Sequence, residues 1–377
     1  MIERLLKLKY IILFLVIVYT LIVASVFIYY NYEKKIFLKD KTALSKVEYE
    51  AVYSRTKELS EIIFEEYINK KEIIDEFKNA HISNDDEKLK IRKNLYKILE
   101  PSYNHLHKLI DLRQVHFHLP NNHSFLRMHR PNKFGDDLTN VRSTVEYVNK
   151  FKKRIDGFEE GRAYNGFRFV YPLFNENKVY IGSVEVSFST ALFQKSLSND
   201  IRYSQFIVSK KVIDQKVWKD DIKINYDKPV INAEFLIESD LINDKYAQIK
   251  TNILTNMSQE IKDTFNKNNR TKENSFSLLL PIDNSDFAIS FLPIKNPVTN
   301  EIVAYLLVFT QSTHLKHIDF QNNILLLISF SLLLSIFIII YKKSKNDDES
   351  QEQKNILMEQ SRMAQMGSMI DNIAHQW

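Results

Sequence analysis

Two long apolar runs constrain the fold of this chain more than any other feature of its sequence. Tyr10 to Tyr30 contains 21 residues without a charge, and Ile324 to Tyr341 contains 18. At about 1.5 Å of rise per residue, either run, as a helix, is long enough to cross the roughly 30 Å hydrocarbon core of a bilayer. The sequence therefore predicts membrane spans at 10–30 and 324–341.

The basic residues beside these runs predict the topology. Residues 1–9 contain three basic side chains, and residues 342–345 contain three more. Because cytoplasmic flanks are enriched in Lys and Arg, both termini, 1–9 and 342–377, are predicted to be cytoplasmic. Four lysines between positions 34 and 41 oppose this signal, although a long domain can translocate despite such charges. A cleaved signal peptide is the alternative for the first run, but that run ends in bulky rather than small residues.

Composition excludes several kinds of function. The chain has no Cys, which excludes disulfides and thiol catalysis. Its net charge is only +5 over 377 residues, and the basic residues are scattered. No nucleic-acid surface is therefore predicted.

The region between the spans changes character near residue 112. Residues 31–112 contain no Gly and predict a long helical stalk, with a polar break at 81–86. A second helix is predicted to end near Pro101, with another turn or two possible over residues 102–111. Beyond it, five of the six Gly residues lie between positions 135 and 182, where they can supply turns.

Alternating and helical periodicities predict two α+β modules after the stalk. In the membrane-distal module, 113–200, a hairpin is predicted at 113–119 and 124–130, a helix at 142–154, strands at 166–174 and 178–188, and a short helix at 190–197. In the membrane-proximal module, 201–315, strands are predicted at 201–210, 234–238, 275–280, 287–294 and 302–310, and a helix at 240–265.

Polar residues at alternate positions of the distal strands predict a binding face. Its candidate ligand-binding residues are His116, His118, Arg127, His129, Arg168 and Glu185. Arg offers a planar fork for carboxylate or phosphate, so the hypothesis is a pocket floor for a small polar, anionic ligand. Tyr171 is a further candidate, although alternation sets it opposite Arg168. The alternative is a solvated face with cross-strand pairs such as Arg168 with Glu185.

Two neighbouring features are open to a second interpretation. Six His residues lie between positions 105 and 129, but their spacing does not converge as a zinc site requires, so no metal site is predicted. Arg130, Asp136 and Asp137 flank Gly135. They are either a pocket lid or a turn that uses Asp and Gly for backbone reasons, and the turn is favoured.

The last fifteen residues have the spacing of a helix that pairs with another helix. Apolar residues recur at steps of three, four, three and four, at Met363, Met366, Ile370, Ile373 and Trp377. His375 lies off this seam, where an exposed neutral imidazole can act as a nucleophile near pH 7. The alternative is an exposed His without chemistry.

The pattern of Ala364, Gly367, Ile373, Ala374 and His375 resembles the phospho-acceptor box of sensor histidine kinases. The resemblance implies a dimerising helix whose His375 takes the γ-phosphate of ATP for transfer to a response regulator. It also implies ATP and Mg²⁺ as cofactors of the full-length protein. The ATP-binding domain is expected to be absent from these 377 residues, so no cofactor is expected to bind this chain. Gln376 stands where the family more often has an acidic base.

Several distal segments resemble the double Cache sensor domain of two-component receptors. They include His116-Phe117-His118, residues 125–131, residues 134–138, Gly157-Phe158-Glu159 and residues 182–185. The resemblance covers most of residues 35–315 and implies a distal module that binds ligand and a proximal module that relays the signal.

Together these features predict a membrane protein of α+β fold, with two transmembrane helices flanking a double Cache, PAS-like domain and then the start of a dimerising helix. The expected function is that of a homodimeric sensor histidine kinase of the bacterial inner membrane. Its periplasmic domain detects a small molecule and controls autophosphorylation of His375. The alternatives are a chemoreceptor-like protein and a truncated, kinase-dead receptor.

Overall fold

A computed structural model describes residues 2–199, 202–227, 234–239, 262–267, 275–282 and 285–374 of the chain. It contains two compact units, one formed by the two ends of the chain and the other by Ile36–Ser312. The predicted fold class is confirmed: the chain is mixed α+β, with long apolar helices at both ends and two antiparallel sheets between them in sequence.

The terminal helices are α1 (Ile2–Ile63) and α8 (His314–Ala374). Each is long and apolar enough to cross a membrane, by length and composition. They contain the predicted spans, and the rings of Tyr19 and Phe330 meet between them at 5.7 Å. Met363, Met366 and Ile370 of the predicted seam are exposed in α8. His375, Gln376 and Trp377 lie outside the described residues.

Three shorter elements follow α1: a π-helical turn (Phe64–Ile68), α2 (Lys71–Phe77) and α3 (Asp85–Ile110). Asn84 and Glu87 form a reciprocal capping box that fixes the start of α3. The helix does not end near Pro101: α3 continues to Ile110, which is the continuation that the sequence left open. A proline removes one helical hydrogen bond, but buried apolar residues before and after Pro101 hold both parts of α3 against the core.

The distal sheet has five antiparallel strands in the order β2-β1-β5-β4-β3. The strands are β1 (Leu112–His118), β2 (Ser124–Arg127), β3 (Ile155–Glu160), β4 (Asn165–Phe174) and β5 (Tyr180–Phe188), and α4 (Ser143–Phe151) joins β2 to β3. Strand β3 was not predicted, because its sequence IDGFEE does not alternate between apolar and polar residues.

The proximal sheet has six strands in the order β7-β8-β6-β11-β10-β9. Its elements are α5 (Thr190–Leu197), β6 (Arg202–Ser209), α6 (Lys210–Lys216), α7 (Lys219–Asn225), β7 (Tyr226–Asp227), β8 (Phe235–Glu238), β9 (Phe276–Ile282), β10 (Ser285–Lys295) and β11 (Ile302–Ser312). Most of the helix predicted at 240–265 lies outside the described residues, but 262–267 are helical.

Each sheet places one face in a shared apolar core with α2, α3, α5 and the end of α1. The second face of the proximal sheet forms another apolar cluster, which includes Phe265, Phe291 and Tyr305. The second face of the distal sheet instead carries buried polar and charged side chains. This polar face is the candidate site.

Candidate ligand-binding site

Strand register assembles the polar face of the distal sheet. His116 of β1 lies opposite Arg127 of β2 on one side and opposite Glu185 of β5 on the other. Side chains opposite one another in a sheet project from the same face, so the three side chains converge. Arg168 of β4 joins them through an ion pair with Glu185. The face is therefore assembled as the alternation predicted.

This face is buried, whereas the alternative interpretation of the sequence was a solvent-exposed face. His116, His118 and Glu185 are at most 1% exposed, and Arg168 is 3% exposed. The predicted cross-strand pair of Arg168 with Glu185 does form, but it forms in the interior. Burying charges is costly unless they are paired and hydrogen-bonded, so the pairing of this cluster determines what the site can do.

Arg142, which precedes α4, connects the two buried carboxylates. It pairs with Glu159 at 2.9 Å and also with Glu185. Glu159 further accepts hydrogen bonds from the hydroxyl of Ser143 at 2.6 Å and the hydroxyl of Thr144 at 2.5 Å. The result is a network in which each carboxylate has several donors.

The network holds its carboxylates ionised. Burial by itself would raise the pKa of Glu159, but the positive charges of Arg142, Lys216 and Arg168 and the hydrogen bond from Ser143 together outweigh it and lower that pKa to about 2. Burial would also raise the pKa of Glu185, but the positive charges of Arg142 and Arg168 lower it well below its usual range. Ionised carboxylates in turn keep the buried guanidinium groups compensated.

Three histidines of the site stay neutral. Burial lowers the pKa of His118 and of His129 to about 3. Burial, followed by the proximity of other His and Arg side chains, lowers the pKa of His116 as well. A neutral imidazole has one donor and one acceptor nitrogen, so these rings can adapt to a partner without changing charge.

One nitrogen of each of these rings has no hydrogen-bond partner: Nδ1 of His116, Nε2 of His118 and Nδ1 of His129. The other nitrogen of His116 meets the Ser124 hydroxyl at 2.8 Å, and that of His118 meets the Ser183 hydroxyl at 3.2 Å. Leaving a buried polar atom unpaired costs about 1–3 kcal/mol. His116 and His129 line a cavity and His118 does not, so the free nitrogens of His116 and His129 are the places where a bound molecule would add stability.

His116, His118 and Glu185 bring their possible metal-ligand atoms within 4.8 Å of one another. Glu185, however, already accepts from Gln114 and from two guanidinium groups. A metal ion would have to displace one of these donors and sit among positive charges. The expectation that the site holds no metal stays a prediction.

Two neighbouring spaces adjoin the cluster. The inner chamber has a volume of about 30 Å³, room for about one or two water-sized groups. The outer chamber is an open cleft of about 560 Å³, bordered by the end of α3 and by residues 128–131. The two share the side chains of Arg113, His129, Arg130 and Tyr164.

Tyr164 stands where the chambers meet. The guanidinium groups of Arg113 and Arg130 lie 5.0 and 5.4 Å from its ring centre, within cation–π range. Its backbone oxygen accepts from Arg168 at 2.7 Å. The residue thus joins the buried cluster to the open cleft.

The structure places the remaining predicted residues as follows. Arg127 forms two hydrogen bonds with Asp136, at 2.7 and 2.8 Å. Asp137 accepts from the backbone of Thr139, as the turn interpretation expects. Tyr171 lies on the opposite face, stacked on Phe64 at 4.3 Å, and so does not line the inner chamber.

Sequence reasoning missed Arg142, Glu159 and Arg162. Glu159 stands in a strand without alternation, and the two arginines lie outside the strands. Lys216 of α6 was also missed, although it approaches Glu159 at 3.9 Å. The only available signal was an acidic residue next to Gly157 and Phe158, which gives no direction for its side chain.

A family model described as the double sensory domain of two-component sensor kinases matches residues 75–216. The matched segment contains α3, the whole distal sheet and the beginning of the proximal module. This agrees with the double Cache architecture seen in the two sheets. No curated protein matches the chain in sequence.

Several solved sensor domains are similar in structure over most of their length. The ligand-binding domain of the Campylobacter jejuni chemoreceptor Tlp3 in complex with L-valine is 11% identical, with a TM-score of 0.40 over 76% of this chain and 97% of that one. The sensor domain of the V. cholerae histidine kinase DctB is 10% identical, with a TM-score of 0.33 over 72% and 99%. The ligand-binding domain of the Pseudomonas fluorescens chemoreceptor CtaA in complex with L-isoleucine is 12% identical, with a TM-score of 0.37 over 76% of this chain and 97% of that one. At this level of identity and superposition, none of them indicates a ligand for this chain.

Proposed function

We propose that this chain is the sensing portion of a membrane receptor and that the inner and outer chambers hold its small-molecule ligand. The observation that carries the proposal is the set of unpaired buried nitrogens beside a cavity, in a segment similar to a sensory domain. A purely structural polar cluster would be expected to satisfy its own donors and acceptors.

The strands that hold the cluster also contact the elements through which a signal would leave. On the other face of the distal sheet, the hydroxyls of Tyr171 and Ser60 lie 2.6 Å apart, and Tyr53 of α1 donates to Asp156 of β3 at 2.5 Å. At the proximal side, Arg113 pairs with Glu238 at 2.7 Å. A ligand that binds one arrangement of the distal sheet better than another would bias these contacts.

We further propose the topology and output of the receptor. The sensor region lies outside the bacterial inner membrane, α1 and α8 cross it, and residues 342–377, which include the second half of α8, are cytoplasmic. His375 is the phospho-acceptor of a homodimeric histidine kinase, which uses ATP and Mg²⁺ and passes the phosphoryl group to a response regulator. The support for this output is the helical seam and the residues around His375 that resemble the family's box.

The kinase output is tested by autophosphorylation with radiolabelled ATP. The protein would be expressed in membrane vesicles, with whatever sequence follows Trp377 in its gene. An acid-labile label is expected in the unmodified protein, is expected to be lost in His375→Gln, and is expected to remain in His81→Gln, a control at an exposed His of the sensor region. A receptor that binds ligand but takes no label would instead be of the chemoreceptor-like or kinase-dead type.

A further inference from the structure

The wall of the inner chamber consists of hydrogen-bond donors to an unusual degree. Six arginines and two histidines line it: Arg113, Arg127, Arg130, Arg142, Arg162, Arg168, His116 and His129. Among the described residues of the chain, no Asp or Glu lines this chamber. A bound group must therefore offer acceptors, and negative charge would be favoured over positive charge.

The carboxylates near the inner chamber already accept hydrogen bonds from, or pair with, groups of the protein. Glu185 accepts from Gln114, Arg142 and Arg168, and Glu159 accepts from Arg142, Ser143 and Thr144. Asp136 and Asp221 pair with Arg127 and Arg130. An ammonium group in the inner chamber would have to break one of these pairs, and it would meet the arginines first.

Arg162 differs from the other arginines of the wall. Its Nε is buried and has no hydrogen-bond partner, and no carboxylate pairs with it in the part of the chain that the structure describes. Its Nη2 reaches the backbone oxygen of Asp137 at 3.3 Å. Its charge acts on the nearby Asp136 and Asp137 without a direct ion pair. Its Nε therefore remains a free donor beside the chamber, together with the free Nδ1 atoms of His116 and His129.

The outer chamber has a different lining. Tyr96, Tyr103, Asn104, Met128 and Pro131 give it aromatic, amide and apolar surfaces, and Asp111 is the one acidic side chain among its described lining residues. Its volume of about 560 Å³ exceeds that of the inner chamber, about 30 Å³, many times over. The inner chamber thus suits a single anionic head group, and the outer chamber suits the body to which that group is attached.

From this arrangement we infer that the ligand is a small organic anion with no ammonium group beside its anionic group. Its carboxylate enters the inner chamber among Arg162, His116 and His129, and its body lies in the outer chamber. When Ser124 donates to Nε2 of His116, Nδ1 carries the proton and donates to the carboxylate. α-Amino acids are excluded, because their ammonium group is one carbon away from the carboxylate and would face the arginines. The inference rests on the proposed role of the chambers as the ligand site.

The test compares carboxylates with their α-amino counterparts. The full chain, in detergent, is titrated calorimetrically with succinate and L-aspartate, glutarate and L-glutamate, and hydrocinnamate and L-phenylalanine. Within each pair the skeleton is the same and only the α-ammonium group differs. We expect at least one carboxylate to bind, and to bind at least about tenfold more tightly than its amino counterpart, the effect expected for a charged group left without a partner.

Two variants locate the binding. Arg162→Gln is expected to weaken binding of the carboxylate by about tenfold or more, because the substitution removes a charge-assisted hydrogen bond. Arg154→Gln is the matched control: Arg154 pairs with Glu61 on the surface of the same module, and both side chains are well exposed. The control should leave the affinity unchanged.

The outcomes separate the inference from the proposed function. If an amino acid binds as tightly as its carboxylate and loses affinity in Arg162→Gln, the ligand class is wrong but the ligand site stands. If no probe binds, or if binding is the same in Arg162→Gln as in Arg154→Gln, both the class and the site are wrong.

Discussion

The two sheets of the sensor region are packed in the same way but differ in the chemistry of their second face. Each packs one face into the common core. On its second face the proximal sheet carries a cluster that is mainly aromatic, in which Phe291 stacks on Phe276 at 4.8 Å. The corresponding face of the distal sheet carries His116, Arg168 and Glu185, all buried. An apolar face stabilises by burial and packing alone. A buried polar face is stable only when paired, and it retains free donors for a ligand.

The comparison predicts that stability and binding can be separated. In the proximal sheet, Phe291→Ala should destabilise the protein by about 3–5 kcal/mol, since it removes a fully buried ring and leaves a cavity. Ligand affinity, measured by the same calorimetric titration, should not change in the fraction that remains folded. Urea unfolding followed by intrinsic fluorescence measures the loss. Phe174→Ala, at a distal position that is 39% exposed, should cost much less.

Beside the distal sheet, Arg142→Met should destabilise the folded protein by a similar amount, but for an electrostatic reason. It leaves Glu159 and Glu185 buried without the cation that joins them, which typically costs about 3–5 kcal/mol. Arg154→Met is the control, because its exposed pair contributes less than about 1 kcal/mol. Equal midpoints of urea unfolding for the two variants would show that the buried network is not a determinant of stability.

A third prediction concerns the place where the two modules meet. Burial raises the pKa of Glu160 from 4.5 to about 7, and the carboxyl group accepts from the Tyr226 hydroxyl at 2.7 Å. Because the folded state holds this proton more tightly than the unfolded state, the stabilisation is complete below about pH 4.5 and is lost as the pH rises through 7. The shift corresponds to roughly 3 kcal/mol.

Glu160→Gln is the matched variant, because a neutral amide replaces the protonated acid. The difference in free energy of unfolding between the variant and the unmodified protein should grow in favour of the variant between pH 5 and pH 8. The buried histidines titrate in both proteins, so their effect cancels in the difference. A difference that does not vary with pH would show that Glu160 titrates normally in the folded protein.

The sequence predicted much of the fold because its signals are local. The two helices that are long and apolar enough to cross a membrane follow from the length of two uncharged runs. The hairpin of β1 and β2 follows from alternation around a turn at Pro120 to His123. Alternation also selected His116, Arg168 and Glu185 as residues of one face, and the structure brings them together. Prediction was less successful at Pro101, where packing overrides a local signal for a helix end, and at β3, where the alternation is weak.

Only the tertiary structure decided that the polar face of the distal sheet is covered, and which residues from other elements cover it. The loop before α4 delivers Arg142, the turn between β3 and β4 delivers Arg162, and strand β3 delivers Glu159. None of these positions has a periodic signal, because their side chains meet the cluster through contacts between elements distant in sequence. The sequence by itself determined two apolar helices, two sheets and a set of polar residues on one face. Burial and pairing, which depend on long-range packing, turned that face from an ordinary polar surface into a donor-lined chamber.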